Sequence, residues 1–163
     1  MRIEVIVEIP KGSRNKYEMD HVTGRVWLDR HLFTAMTYPA DYGFIPDTLA
    51  GDGDPLDVLV LLDEPTFPGC HIWARPIGVF WMHDEAGPDA KVLCVPAGDP
   101  RWEHIVDVDD LRPHLRAEIH HFFEAYKELE PGKSTEVRGW EGLDAAMAAI
   151  EDARNSYVPH DGH

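Results

Sequence analysis

An α+β protein, a small β-barrel with helices packed outside it, is what the 163-residue sequence predicts. Three observations carry this. Short segments of period-two hydrophobicity fill the first part of the chain. Gly- and Pro-rich turns separate them, as in small barrels. The period then changes to three and four residues, so strands come first and helices last. Apolar residues make up 44%, enough for a real core, and residues 1–163 are expected to form a single domain.

The elements follow in order. "RIEVIVEI" alternates, with Ile3, Val5, Val7 and Ile9 on one face, and predicts a strand. "KYEMD" and "GRVWLDR" predict two short strands around the turn "HVTG". Val58–Leu62 predicts a short buried strand, fixed at its start by Pro55. His71–Met82 and Ala90–Pro96 predict a hairpin-like pair with a long connection, "HDEAGPD". Leu111, Leu115, Ile119, Phe122, Tyr126 and Leu129 then recur at helical spacing, with Asp109 or Asp110 as the cap and "EPG" as the stop. A last helix is expected over about 141–155, its inner face holding Leu143, Met147 and Ile150. The tail, about 157–163, is expected to fray.

Charge excludes some functions. Thirty acids against fifteen Lys and Arg give a net charge of −15. A nucleic-acid backbone needs a basic face, so nucleic acid is not an expected partner. No run approaches the ~18 apolar residues of a membrane span, and the N-terminal stretch carries Glu4 and Glu8 among its apolar residues. The expected location is the cytoplasm, with Cys70 and Cys94 as reduced core residues. The charges are also segregated. His31 to Ala74 contains no Lys or Arg but holds Asp41, Asp47, Asp52, Asp54, Asp57, Asp63 and Glu64. Just upstream lie Lys11, Arg14, Lys16, Arg25 and Arg30. Such a pattern suits a site for metal cations and an anion together, although a solvated surface explains it more simply when taken alone.

The densest stretch is Asp52-Gly53-Asp54-Pro55-Leu56-Asp57. Two unit charges ~4 Å apart repel by ~4 kcal/mol at an effective dielectric near 20. Converging carboxylates must splay into water, take up protons or hold cations. An EF-hand is excluded, because its sixth position here is Asp57 rather than Gly and its twelfth is Asp63 rather than Glu. A solvated turn stays open, since Asp, Gly and Pro are common turn residues. Against it, Pro55 favours an extended Asp54 and Gly53 permits a tight bend between two acids, which can aim all three side chains at one place. Oxygen-only ligands select hard ions such as Mg2+ or Mn2+. A second acidic cluster, Asp84, Glu85 and Asp89, precedes Lys91 and by itself reads as an ordinary polar loop.

Groups suited to an anion lie elsewhere. Lys16 and Glu18 share a strand face, Arg30 ends the next strand, and Tyr38 and Tyr42 sit in the Pro/Gly-punctuated "TYPADYGF". Tyrosine hydroxyls there can donate to an oxyanion, with core packing the simpler role for Tyr38. Tyr126 and Lys127 fall late in the first helix. The adjacent His120 and His121 face different ways and cannot easily share a metal. No nucleophile triad or Gly-rich phosphate loop is visible.

Taken together these residues resemble the soluble family I inorganic pyrophosphatases. The motif Asp-x-Asp-Pro-x-Asp stands at 52–57, and "EIP", "NKYE", "LDR", "YPADYGF", "DEAGPDAK", "HFFEAYK" and "GW" follow in matching order from about Val7 to Trp140. "VLCVPAGDPRW" and His21 resemble actinobacterial members, although no role is assigned to His21. The resemblance implies a five-stranded OB-like β-barrel with flanking α-helices, assembled as a homohexamer. It implies Mg2+-dependent hydrolysis of pyrophosphate to two phosphates, with Mn2+ or Zn2+ able to substitute. It assigns Asp52, Asp57 and Asp89 to a first metal, with Asp57 bridging to a second. Asp84 and Asp89 match ligands of a metal arriving with substrate, and Glu8 and Glu18 lie near a further metal and its waters. Lys16, Arg30, Tyr42, Lys91, Tyr126 and Lys127 match phosphate-binding groups, and Asp54 the general base. The alternative is a non-catalytic module binding divalent cations, which explains the acids but not Lys16, Arg30, Tyr42 and Lys127.

Overall fold

A computed structural model describes residues 1–159, so residues 160–163 of the expected tail lie outside the described residues. Strand β1 is Ile3–Ile9, β2 Asn15–Met19, β3 Val26–His31, β4 Asp41–Phe44, β5 Asp57–Val60, β6 His71–Asp84 and β7 Gly87–Pro96. Helix α1 is Pro113–Ala125, β8 is Thr135–Glu141 and α2 is Leu143–Ser156. Strands precede helices except for β8, and the α+β expectation holds. Among the described residues no helix is long and apolar enough to cross a membrane.

Six strands pair in the order β1-β4-β5-β7-β6-β8, and β1 also pairs with β6. The hydrogen-bonded path through β1, β4, β5, β7 and β6 therefore returns to β1. The β5–β7 pair is parallel and the others antiparallel. Strands β2 and β3 form a separate two-stranded sheet.

Burial on both faces explains the unbroken apolar runs of β5 and β7. Val58, Val60, Val92 and Cys94 join a core that includes Ala146, Ile150 and Ala153 of α2. Leu59, Leu93 and Val95 turn to the opposite core, with Ile119, Phe122 and Phe123 of α1. In β1, Ile3, Val5, Val7 and Ile9 are buried as the alternation predicts.

Several boundaries differ from expectation. The long connection after His71–Met82 is instead a continuation of both strands, which pair out to Asp84 opposite Gly87. Gly87 takes a positive φ of 116° just after the turn, and Asp84 accepts the Ala86 N–H at 2.8 Å. Neither Asp109 nor Asp110 caps α1. The helix starts with Pro113, whose ring disfavours a helical Arg112, and Asp110 instead accepts the Val106 and Asp107 N–H groups upstream. The helix also stops at Ala125, so Tyr126 and Lys127 lie just past its end and Leu129 is 70% exposed. The buried face of α2 is Ala146, Ile150 and Ala153, while Leu143 and Met147 are only half-buried. Cys94 is buried, but Cys70 is half-buried rather than a core residue.

Candidate active site

One cavity of about 190 Å³ gathers residues from β1, β2, β4, the β4–β5 loop, β5, the end of β6, β7 and the turn after α1. Its acids are Glu8, Glu18, Asp52, Asp54, Asp57, Asp84 and Asp89, against the ammonium groups of Lys16, Lys91 and Lys127. Tyr42 and Tyr126 also stand on its walls.

The aspartates converge through strand register and one tight turn. Asp57 opens β5 and stands opposite Lys91 in the parallel β7. Asp89 lies two residues before Lys91, on the same strand face. Asp52 reaches them from the preceding loop, where Gly53 has φ 89° and Asp52 Oδ1 accepts the Asp54 N–H at 3.0 Å. Further along, the Leu56 N–H donates to the buried Thr48 hydroxyl at 2.9 Å, which fixes where the loop enters β5. One carboxylate oxygen each of Asp52, Asp57 and Asp89 lies within 4.8 Å of the others. Burial raises the pKa of Asp52 and Asp89, opposed at Asp89 by Lys91. Asp54 itself is exposed at the cavity.

Lys91, only 1% exposed, donates to Tyr42 Oη at 2.7 Å, Asp89 Oδ2 at 3.0 Å and Asp57 Oδ2 at 3.2 Å. Burial alone would lower its pKa, but Asp57 and Asp89 outweigh that and raise it. Glu8 is also buried. Its Oε2 accepts the Met19 N–H at 2.8 Å, and burial pushes its pKa up to about 7. Tyr38 is a core residue, packed at 4.7 Å against the Phe122 ring, whereas Tyr42 sits in β4 and not in a loop.

Lys16 pairs with Asp29 at 3.2 Å, and Lys127 lies 3.7 Å from Asp84 and 3.4 Å from Glu85. Glu85 turns to Lys127 and Lys133 rather than to the aspartates. Arg30 is the one expected site residue that does not line the cavity. Its guanidinium bonds Asp29 and, at 2.8 Å, Glu130. His21 does line it and packs edge-on against Phe44, with ring centroids 4.7 Å apart. Sequence reasoning passed over Asp29 and Glu130. Asp29 stood inside the quoted "LDR" and Glu130 inside the "EPG" read as the helix stop, and neither setting pointed to Arg30. Asp41, counted with the acidic block, is structural: it is buried and accepts from the Lys11 N–H, the Thr66 N–H and the Thr66 hydroxyl.

The donor set fits a hard divalent cation. It is all oxygen, convergent and more anionic than the nearby lysines can balance. The cavity is smaller than the ~300–1,000 Å³ of sites for drug-sized ligands, so it suits a compact anion.

Comparison with known proteins agrees with this arrangement. A sequence profile described as Inorganic pyrophosphatase matches residues 5–158. The chain is 58% identical to an inorganic pyrophosphatase of Streptomyces coelicolor over 163 residues, all of both chains. It is 63% identical to that of Leifsonia xyli over 160 residues, 98% of each. The crystal structure of the Thermus thermophilus inorganic pyrophosphatase superposes with a TM-score of 0.93 at 47% identity, covering 96% of this chain and 91% of that one. On sequence, fold and the clustered aspartates together, the chain belongs to the inorganic pyrophosphatase family.

Proposed function

We propose that this chain hydrolyses inorganic pyrophosphate to two phosphates with Mg2+, using Asp54 as the general base. The observation that carries the reading is the meeting of Asp52, Asp57 and Asp89 beside buried Lys91, in a cavity that also draws in Lys16 and Lys127. Asp52, Asp57 and Asp89 would hold a first ion, Asp57 and Asp84 would share in others, and Glu8 and Glu18 would lie near a further one. Bound Mg2+, or Mn2+ or Zn2+ in its place, supplies positive charge to the phosphoryl oxygens and lowers the pKa of water.

The side chains supply the rest. Pyrophosphate is a dense anion, and charge spreads over its phosphoryl oxygens in the transition state. Lys16, Arg30 and Lys127 offset that charge, and Tyr42 and Tyr126 donate hydroxyl hydrogen bonds. Lys91 stays cationic and holds Asp57 and Asp89 in place. Asp54, exposed and without an ion pair among the described residues, takes the proton of the attacking water. A cation-binding module without catalysis would have no use for these cationic and hydroxyl groups. In the same reading, the closed path of five strands is an OB-like barrel forming one domain. The chain works in the cytoplasm as a homohexamer, a state decided by a solution mass of about 111 kDa for six 18.5 kDa chains.

The test is phosphate release from pyrophosphate with Mg2+, with EDTA, and in Asp54→Asn. Release should require Mg2+ and fall by about 10²-fold or more in the folded variant. Wild-type turnover in Asp54→Asn would sink the base assignment. No release from folded, metal-loaded wild type would leave the cation-binding module as the reading.

A further inference from the structure

Arg30 stands apart from the other phosphate-holding candidates. It comes from β3, whose other residues are all exposed, in the small two-stranded sheet. Its neighbours along β3 therefore give its guanidinium little packing. Two carboxylates hold it. Asp29 is also shared with Lys16 of the cavity wall. Glu130 is different: it is 6% exposed, and Arg30 is the only cation within 4 Å of it among the described residues.

Glu130 sits in the turn that follows α1, and its N–H donates to the Lys127 carbonyl at 2.9 Å. The ion pair thus ties the β3 hairpin to the segment bearing Tyr126 and Lys127. Arg30 is close enough for its charge to act on the Tyr126 hydroxyl. Its Nε is buried and has no hydrogen-bond partner among the described residues. A guanidinium offers five donors in a fixed fork, so a carboxylate gripping one edge sets where the others point.

We propose that Glu130 is a positioning residue: its ion pair with Arg30 holds that guanidinium beside Tyr126 and Lys127 at the phosphate end of the substrate site. The inference rests on the reading of Arg30 as a phosphate-binding group. A guanidinium freed from Glu130 would spread over several rotamers, and a misplacement of ~1 Å can reduce rate about 10²-fold.

The experiment is a double-mutant cycle with Arg30→Ala and Glu130→Gln, read as KM and kcat for Mg-pyrophosphate, with circular dichroism as the check of fold. Arg30→Ala should lower kcat/KM by about 10- to 100-fold, mostly through KM, and Glu130→Gln should reproduce most of that loss. In the Arg30→Ala background, Glu130→Gln should cost less than about twofold further, because the two act as a unit. Added guanidinium ion should restore part of the Arg30→Ala activity only while Glu130 is present. A role confined to structure would not show that dependence. If Glu130→Gln does not fold, Glu130→Asp, which keeps the charge on a shorter arm, takes its place in the cycle. Wild-type KM in the folded Glu130 variant, or fully additive losses, would overturn the proposal. An Arg30→Ala enzyme indistinguishable from wild type would overturn both it and the phosphate-binding role of Arg30.

Discussion

Glu8 shows what a single carboxyl gives up at this site. Its side chain lies in β1 with the core, bonded to the Met19 N–H, and burial holds its pKa at about 7 against 4.5 for the free group. The Met19 bond opposes the shift and nearby Asp57 adds to it. The metal-free folded chain therefore holds a proton that the unfolded chain has released between pH ~4.5 and ~7. Stability falls as pH rises through that window and stays low above it. Glu8→Gln keeps an acceptor for Met19 and removes the ionisation. In EDTA it should raise unfolding free energy at pH 8.5 by ~3 kcal/mol and change little near pH 4.5. Urea melts at the two pH values decide this, and equal effects at both would refute it. Asp52, Asp54 and Asp57 were readable in sequence because six consecutive residues carry them, while Asp89 stood in a loop that reads as ordinary and Lys127 in a helix that ends before it. Glu130 was not readable, since its meaning depends on Arg30, a hundred residues away.

At the scale of elements, the site depends on close strand pairing. Gly43 lies in β4 opposite Val7 of β1, and a Cβ built there would stand 2.0 Å from the Ile6 carbonyl oxygen. No rotamer relieves a clash with backbone. Gly43→Ala should push β4 off β1, move neighbouring Tyr42 away from Lys91 and cost about 3 kcal/mol or more in a urea melt. A variant with unchanged midpoint and activity would show that the two strands can separate freely. This strand was hidden in the sequence, because Pro39 and Gly43 make "TYPADYGF" read as a loop. The strand β8 was hidden too: Thr135–Glu141 carries charges, a glycine and little apolar alternation, and it is specified by pairing with β6. Strands β1, β5, β6 and β7 were legible because their side chains announce their burial, and β2 and β3 were legible from the short segments flanking the turn "HVTG", although β3 is mostly exposed. The turn that aims Asp52 and Asp54 was legible for a related reason, since Gly and Pro act on backbone angles locally. The start of α1 was misread because the acids before Pro113 suited a cap by type while the backbone used them one turn earlier.

For the molecule as a whole, charge and metal are coupled. The net charge of −15 opposes compaction, and much of it is exposed surface that ordinary salt screens over ~8–10 Å. The share at half-buried Asp57 and buried Asp89 is screened less, and a cation that enters the cavity relieves what Lys91 alone leaves unbalanced. NaCl and MgCl2 at matched ionic strength should therefore differ in effect. A ligand at 100 times its Kd adds ~2.7 kcal/mol to the folded state. For a chain of this size each kcal/mol moves Tm by ~2–4 °C, so Mg2+ should raise Tm by roughly 5–10 °C beyond the NaCl control. Asp57→Asn should lose most of that excess, because Asp57 supplies one of the three converging carboxylates. Glu151→Gln removes the same formal charge from the exposed face of α2 and should keep it. Equal gains in the two salts, or an undiminished Mg2+ effect in Asp57→Asn, would mean that the aspartates repel one another only as surface charge does.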